Sequence, residues 1–250
     1  MNNTMMALNT KTDPIPMYYK LQQEIKELVE NGEWVPGDVI PSSRKISETY
    51  NVSMGTVQKA ILNLVNENYL YCIQGKGTYV ATTNIKQESI RYSRLRLDFE
   101  GSDPSFKIKL IDFETVKGIG RVNHLLKVSE DSRLYKIRRI FSQKGNPSIY
   151  NISYLPCEKF EDFEKKIVFR LRRMTLWESI EQTYGLPTIK NKELFGLCYA
   201  DQEVSEELGI QKGDPILSIE MLSYTYKDQP YEYRISYSKP DTKRFYREIS

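Results

Sequence analysis

The amino-acid sequence predicts an α+β protein in two parts: a small helical module that closes with a β-hairpin, and a larger domain built on an antiparallel sheet. Three observations carry this. Helix-spaced apolar residues recur three times before residue 70, and two β-prone runs flanking a glycine pair follow at once. From Phe106 onward the pattern changes to alternating, strand-like runs interrupted by short helical stretches. An internal repeat, KGNPSIYNISY (Lys144 to Tyr154) and KDQPYEYRISY (Lys227 to Tyr237), then places two equivalent hairpins in the second part. The expected divisions are 1–80 (ordered from about residue 15), a linker over 81–97, and 98–250.

In the first part, Leu21, Ile25, Leu28 and Val29 form one apolar stripe, and Asn31-Gly32 stops that helix. Trp34 to Gly37 make a turn, and Asp38-Val39-Ile40-Pro41 leads into a short second helix capped by Ser42 or Ser43, with Ile46 and Tyr50 inward. Asn51 ends it, because asparagine tolerates the left-handed conformation of a tight turn. Ser53 caps a third helix running to about Asn68, with Val57, Ile61 and Leu64 toward the core. Two helices joined by the short turn YNVS make a helix-turn-helix, and the hairpin around Gln74-Gly75-Lys76-Gly77 is its wing. The GKG stretch lacks the spacing of a nucleotide phosphate loop.

The third helix presents Met54, Gly55, Gln58 and Lys59 near its N-terminal end, opposite the apolar stripe. Recognition helices meet base edges with that end, and a glutamine such as Gln58 can pair with an adenine edge through two hydrogen bonds. Arg44 reaches phosphate or guanine from the second helix, and Lys76 sits at the wing tip. The first eighty residues carry seven Lys/Arg against eight Asp/Glu. Residues 40–80, however, carry Arg44, Lys45, Lys59 and Lys76 against Glu48 and Glu67, so the positive charge is local. A modest salt dependence follows, each neutralised phosphate contributing about −0.9 to the slope. The other use of such a module is protein contact.

Composition narrows the remaining classes. Net charge is +3, weak evidence for a polyanionic partner. Cys72, Cys157 and Cys198 are far apart and form no CxxC or Cys/His cluster, so a reduced, cytoplasmic protein without a zinc site is expected. The single histidine, His124, reads as a solvated residue at a helix end. No apolar run approaches the ~18 residues needed to span a bilayer, and MNNTMMALNTKTD has neither the basic nor the apolar region of a secretion signal. No catalytic constellation, cofactor or metal is expected. The alternative to a DNA-binding regulator is a lyase or hydrolase on the C-terminal fold carrying a fused DNA module.

In the second part each repeat follows a β-like run, LYKIRRIF from Leu134 and LSIEMLSY from Leu217. Alternation puts Tyr135, Ile137, Arg139 and Phe141 on one strand face, Ile149, Asn151 and Ser153 on one face of the next, and Glu232, Arg234 and Ser236 on one face of its repeat mate. An arginine among apolar neighbours needs a polar or anionic partner, because an unpaired buried charge is costly. These residues could line a shared polar pocket in which Arg139 and Arg234 hold an acidic group or hydroxyls. They could equally be solvent-facing positions, or an internal Arg139–Glu232 ion pair. Thr175-Leu176-Trp177-Glu178 opens a helix, with Thr175 as N-cap and Glu178 completing a capping box; a helix start can also bind an anion.

The stretch IPSSRKISETYNVSMGTVQKAILNLVNENYLYCIQGKGTYV resembles the DNA-binding domain of GntR-family regulators. The resemblance implies DNA contacts at Arg44, Thr56 and Gly77, with the capping Ser53 a further candidate, and departs from the family at Met54 and Gln58, where arginine is common. RRIFSQKGNPSIYNISYLP, TLWESIEQTYG, YADQEVSEELGIQKGDPILSIEMLSY and QPYEYRISYSKPD resemble the UTRA domain of HutC-type members over roughly residues 105–250. That resemblance implies a chorismate-lyase-like fold without enzymatic activity, a homodimer, and a small-molecule effector such as a sugar or phosphosugar. Arg139 and Thr175 match positions that hold the effector's anionic group. Phe141 replaces a frequent arginine and Asn151 a frequent glutamate, which points to a less charged ligand. The expectation is a repressor that binds double-stranded operator DNA as a homodimer and answers to that effector.

Overall fold

The computed structural model describes residues 15–83, 95–96, 106–172, 174–239 and 244–245. They fall into two compact units that divide between Thr82 and Thr83. The first begins with α1 (Met17–Glu30), whose Leu21, Ile25, Leu28 and Val29 are buried and which stops at Asn31. Gln22 is buried with them; it donates to Glu67 and accepts from Asn63, tying α1 across to the third helix.

Ser42 caps α2 (Ser43–Tyr50) by accepting from the Lys45 amide, and Asn51 ends it in the left-handed region at φ 50°. Ser53 caps α3 (Met54–Asn66), which buries Val57, Ala60, Ile61 and Leu64. That helix stops two residues earlier than expected, with Glu67 as its C-cap and Asn68 at positive φ. The wing is β1 (Leu70–Ile73) paired with β2 (Gly77–Val80). One further piece joins it. Val39 bridges Tyr79, and the Ile40 amide donates to the Thr78 carbonyl at 2.9 Å, so the segment expected merely to lead into α2 also lines the wing.

Most of the linker expected over 81–97 lies outside the described residues. Within it, β3 (Leu95–Arg96) pairs with β10 (Arg244–Phe245), so that stretch is strand. The second unit's main sheet follows from β4 (Lys107–Val116), β5 (Leu134–Gln143), β6 (Asn146–Pro156), β7 (Lys190–Tyr199), β8 (Pro215–Thr225) and β9 (Gln229–Ser238). All neighbours are antiparallel, in the order β4-β5-β6-β9-β8-β7. The two repeats are therefore hairpins β5–β6 and β8–β9, and they meet at the centre through β6 and β9. Asn151 stands opposite Ser236 and Ser153 opposite Arg234, about a local two-fold at Ile152 and Ile235.

This sheet has two different faces. On one, α4 (Gly120–Leu125) and α6 (Gln202–Leu208) pack Val122, Val204 and Leu208 against Tyr150, Ile152, Ile216 and Tyr233. The other lies under α5 (Leu176–Tyr184) and the turns before it, which pack Phe160, Phe163, Ile167, Leu171 and Ile180 with Ile137, Leu155 and Met221. Arg138 bridges Asp112 of β4 at 2.5 Å and Glu203 of α6 at 3.2 Å, and the Tyr150 hydroxyl also donates to Glu203.

The Tyr150 hydrogen bond, assisted by Arg138, holds Glu203 below the ordinary glutamate value, and the Arg138 hydrogen bond does the same for Asp112. A carboxylate with a depressed folded-state pKa favours folding above its unfolded value, and that favour is lost as pH falls through the folded value. Thermal stability should therefore decline as pH drops below the glutamate value of 4.5. Glu203→Gln should flatten the decline in melting temperature measured between neutral pH and about pH 3; an unchanged profile would show that this carboxylate is not linked to folding.

Candidate nucleic-acid interface and buried polar layer

The outward face of the helix-turn-helix unit consists of the N-terminal half of α3, the start of α2 and the wing tip. Met54, Gln58 and Lys59 are exposed on α3, while the neighbouring Val57 and Ala60 point into the core. The Lys59 ammonium sits over the Tyr18 ring of α1, 3.9 Å from its centroid. Ser53 and Thr56 serve the cap first: Ser53 Oγ accepts from the Thr56 amide at 3.2 Å, and the two hydroxyls share a hydrogen bond at 2.9 Å. Arg44 donates from Nε to Glu48 at 3.1 Å, which leaves the two terminal amino groups of its fork facing outward.

Lys76 is exposed at the wing tip, between Gly75 and Gly77, both at positive φ. A Cβ on Gly77 would also lie 3.3 Å from the Val39 side chain, so the extra bridge and the backbone together require glycine there. Neither Tyr18 nor Glu48 was singled out from sequence. Glu48 was findable as the i+4 neighbour of Arg44, whereas the Tyr18 contact needs the packing of α1 on α3.

In the second unit the register brings the expected polar residues onto the α5 side of the sheet. Arg139 pairs with Asn151 and Asn151 with Ser236; Ile137 pairs with Ser153 and Ser153 with Arg234. All are buried: Asn151, Ser153 and Glu232 at 0%, Arg139 at 1% and Arg234 at 4% exposure. The solvent-facing alternative for these strand positions is excluded.

The ion pair is not the one considered from sequence. Glu232 is held by Arg234, whose Nε and Nη2 reach its two oxygens at 2.7 and 2.8 Å. Residues two apart on a strand share a face, and this places the guanidinium fork within reach of its own neighbour. Ser153 and Trp177 donate to the same carboxylate at 2.8 Å, and Ser223 at 3.4 Å. The Trp177 ring also covers the Arg234 guanidinium at 4.6 Å. Trp177 was visible from sequence only as part of the capping stretch.

Arg139 lies against the Phe141 ring at 5.4 Å. Thr175 forms the expected capping box, its Oγ1 accepting from the Glu178 amide while Glu178 accepts from the Thr175 amide and hydroxyl. The layer thus gathers serine hydroxyls, a primary amide, an indole N–H and two guanidinium groups around a buried carboxylate.

Among the described residues no helix is long and apolar enough to cross a membrane. A winged helix-turn-helix with an exposed recognition helix, joined to an α+β domain, defines a DNA-binding transcription regulator. Residues 17–80 match bacterial regulatory proteins of the gntR family and residues 103–244 match the UTRA domain. The chain belongs to the gntR family, in the HutC-type group that carries a UTRA domain. Members of this family are transcription regulators.

The HTH-type transcriptional repressor NagR of Bacillus subtilis (strain 168) is 27% identical over 94% of this chain and 95% of its own. The mannosyl-D-glycerate transport/metabolism system repressor MngR of Escherichia coli (strain K12) is 24% identical over 92% and 94%. Among solved structures, the possible transcriptional regulator YydK of Bacillus subtilis subsp. subtilis str. 168 shares the fold with a TM-score of 0.54 at 19% identity, over 94% of this chain and all of that one. PhnF of Mycobacterium smegmatis does so with 0.55 at 18%, over 92% and 98%.

Removing one member of a buried ion pair leaves its partner uncompensated, at a cost of about 3–5 kcal/mol, whereas replacing both members by apolar groups is often near neutral. Glu232→Gln should therefore lower unfolding stability by roughly 3 kcal/mol. The double variant Glu232→Leu with Arg234→Leu should recover much of that in denaturant titrations, and a double variant worse than either single one would contradict the account.

Proposed function

We propose that this chain is a transcriptional repressor whose affinity for double-stranded operator DNA is set by a small hydroxylated metabolite bound at the Glu232–Arg139 layer. The observation that carries it is the dense polar layer, with two arginines, buried inside the second unit of a chain whose first unit exposes its third helix. Burying so many polar groups is costly unless they serve a defined set of partners. Arg44, Gln58, Lys59 and Lys76, with the backbone around Ser53, Met54, Thr56 and Gly77, form the DNA face. Arg139, Phe141, Asn151, Ser153, Thr175, Glu232 and Arg234 form the effector site.

The relatives' names support a sugar-related ligand: one controls a mannosyl-D-glycerate system, and another is a probable fructoselysine utilization operon repressor from Escherichia coli (strain K12). Phe141 and Asn151 favour a ligand with little charge. An effector alters DNA affinity only by binding one arrangement of the protein better than another. The working species is a cytoplasmic homodimer. Its support is β7, one of the two outer strands of the sheet among the described residues, which exposes Leu194, Phe195, Leu197 and Tyr199 along the kind of edge that invites a second strand.

The test is a gel shift on the promoter fragment of the chain's own gene. Arg44→Ala and Gln58→Ala should each abolish the specific complex, a bidentate base contact being worth about 1–3 kcal/mol; unchanged affinity would remove them from the DNA face. In a panel of hexoses, amino sugars and their phosphates, at least one compound should alter the wild-type shift. Arg139→Ala should lose that response while binding DNA normally. A panel with no active member would overturn the sugar assignment.

A further inference from the structure

Two cations of the first unit are offset by carboxylates. Lys26 pairs with Glu67, while also lying over the Tyr69 ring at 5.0 Å, and Arg44 pairs with Glu48. Lys59 instead rests on the face of Tyr18, 3.9 Å from the ring centroid. A ring face attracts an ammonium through its quadrupole but carries no net charge. The lysine is therefore held in place with its full positive charge available to a polyanion.

The ring itself is firmly placed. Tyr18 sits one turn before Leu21 and Gln22, both buried against α3, and Gln22 is hydrogen-bonded to Asn63 and Glu67. On α3, Lys59 directly precedes Ala60, which is fully buried. Both ends of the contact thus rest on the α1–α3 core, and it spans two helices that sequence spacing alone does not bring together.

We propose that Tyr18 is a positioning residue for DNA binding, holding the Lys59 ammonium ready for a backbone phosphate at the edge of the recognition helix. A lysine side chain carries considerable rotamer entropy, and restraining it before contact reduces the ordering cost of association. The inference rests on Lys59 being a phosphate contact.

The test uses the full chain, a random-sequence duplex of about 30 base pairs, and a salt series, since a lost phosphate contact lowers the slope of log affinity against log salt by about 0.9. Lys59→Ala should show that loss and weaken binding several-fold. Tyr18→Leu keeps an apolar side chain but no ring face. It should reproduce most of both effects although the lysine is still present, and Tyr18→Phe should restore wild-type behaviour. Combining Tyr18→Leu with Lys59→Ala should be no worse than Lys59→Ala alone. If Lys59→Ala changes nothing, the phosphate reading of Lys59 fails and the inference falls with it. If Lys59→Ala weakens binding while Tyr18→Leu matches wild type, or the two losses add independently, the positioning role alone is overturned. A Tyr18→Phe variant as weak as Tyr18→Leu would assign the effect to the phenolic hydroxyl and overturn it as well.

Discussion

A carboxylate shut away from water inside a sheet has to be met by donors, and Glu232 of β9 is met from four places. Arg234 answers from the same strand, Ser153 from β6, Ser223 from β8 and the Trp177 indole from α5. Without that set, the desolvation of one charge would exceed what a single contact returns. The requirement explains why α5 lies where its first turn can send an indole N–H into the layer, and why serines stand on neighbouring strands at positions where apolar residues would pack well. The capping box at Thr175 serves the same arrangement, because it sets the start of α5 and hence the direction of Trp177.

Much of this architecture was legible in the residues. Caps at Ser42, Ser53 and Thr175 are local chemistry, and so are the left-handed Asn51 and the glycine turns of the wing. The repeat announced two hairpins, and two-residue alternation correctly grouped Arg139, Asn151, Ser153, Glu232 and Arg234 on one face. What escaped were contacts whose partners are set by packing. Val39 joins the wing through a single bridge, too short to leave a pattern. Glu232 had several cations within plausible reach, and the choice of Arg234 over Arg139 depends on side-chain direction within one strand. The turns at Glu164–Val168 and Arg170–Arg172 carry no regular period, yet their Ile167 and Leu171 pack into the core on the α5 side of the sheet.

The two units solve opposite electrostatic problems. The second must neutralise charge in order to bury it, so its arginines and carboxylates converge. The first carries little net charge, and its effect depends on where each cation is directed and on whether a neighbour cancels it. Gln22, Asn63 and Glu67 bind α1 to α3 with polar contacts rather than more apolar surface, which sets the two helices in one register. The orientation of the recognition helix is thereby tied to the first helix of the chain.

The central pairing of β6 with β9 also governs the order in which the chain can become structured. Pairings in the first unit close within its own residues, before Thr83, and shorter sequence separation favours faster folding. The sheet is different, because β6 ends at Pro156 and its partner β9 does not begin until Gln229. On a ribosome the hairpin β5–β6 therefore emerges well before the strand that covers its open side. During that interval an apolar edge stands unprotected, a condition that favours aggregation or chaperone capture. Yield in a cell should thus depend on how quickly translation proceeds from the first repeat to the second.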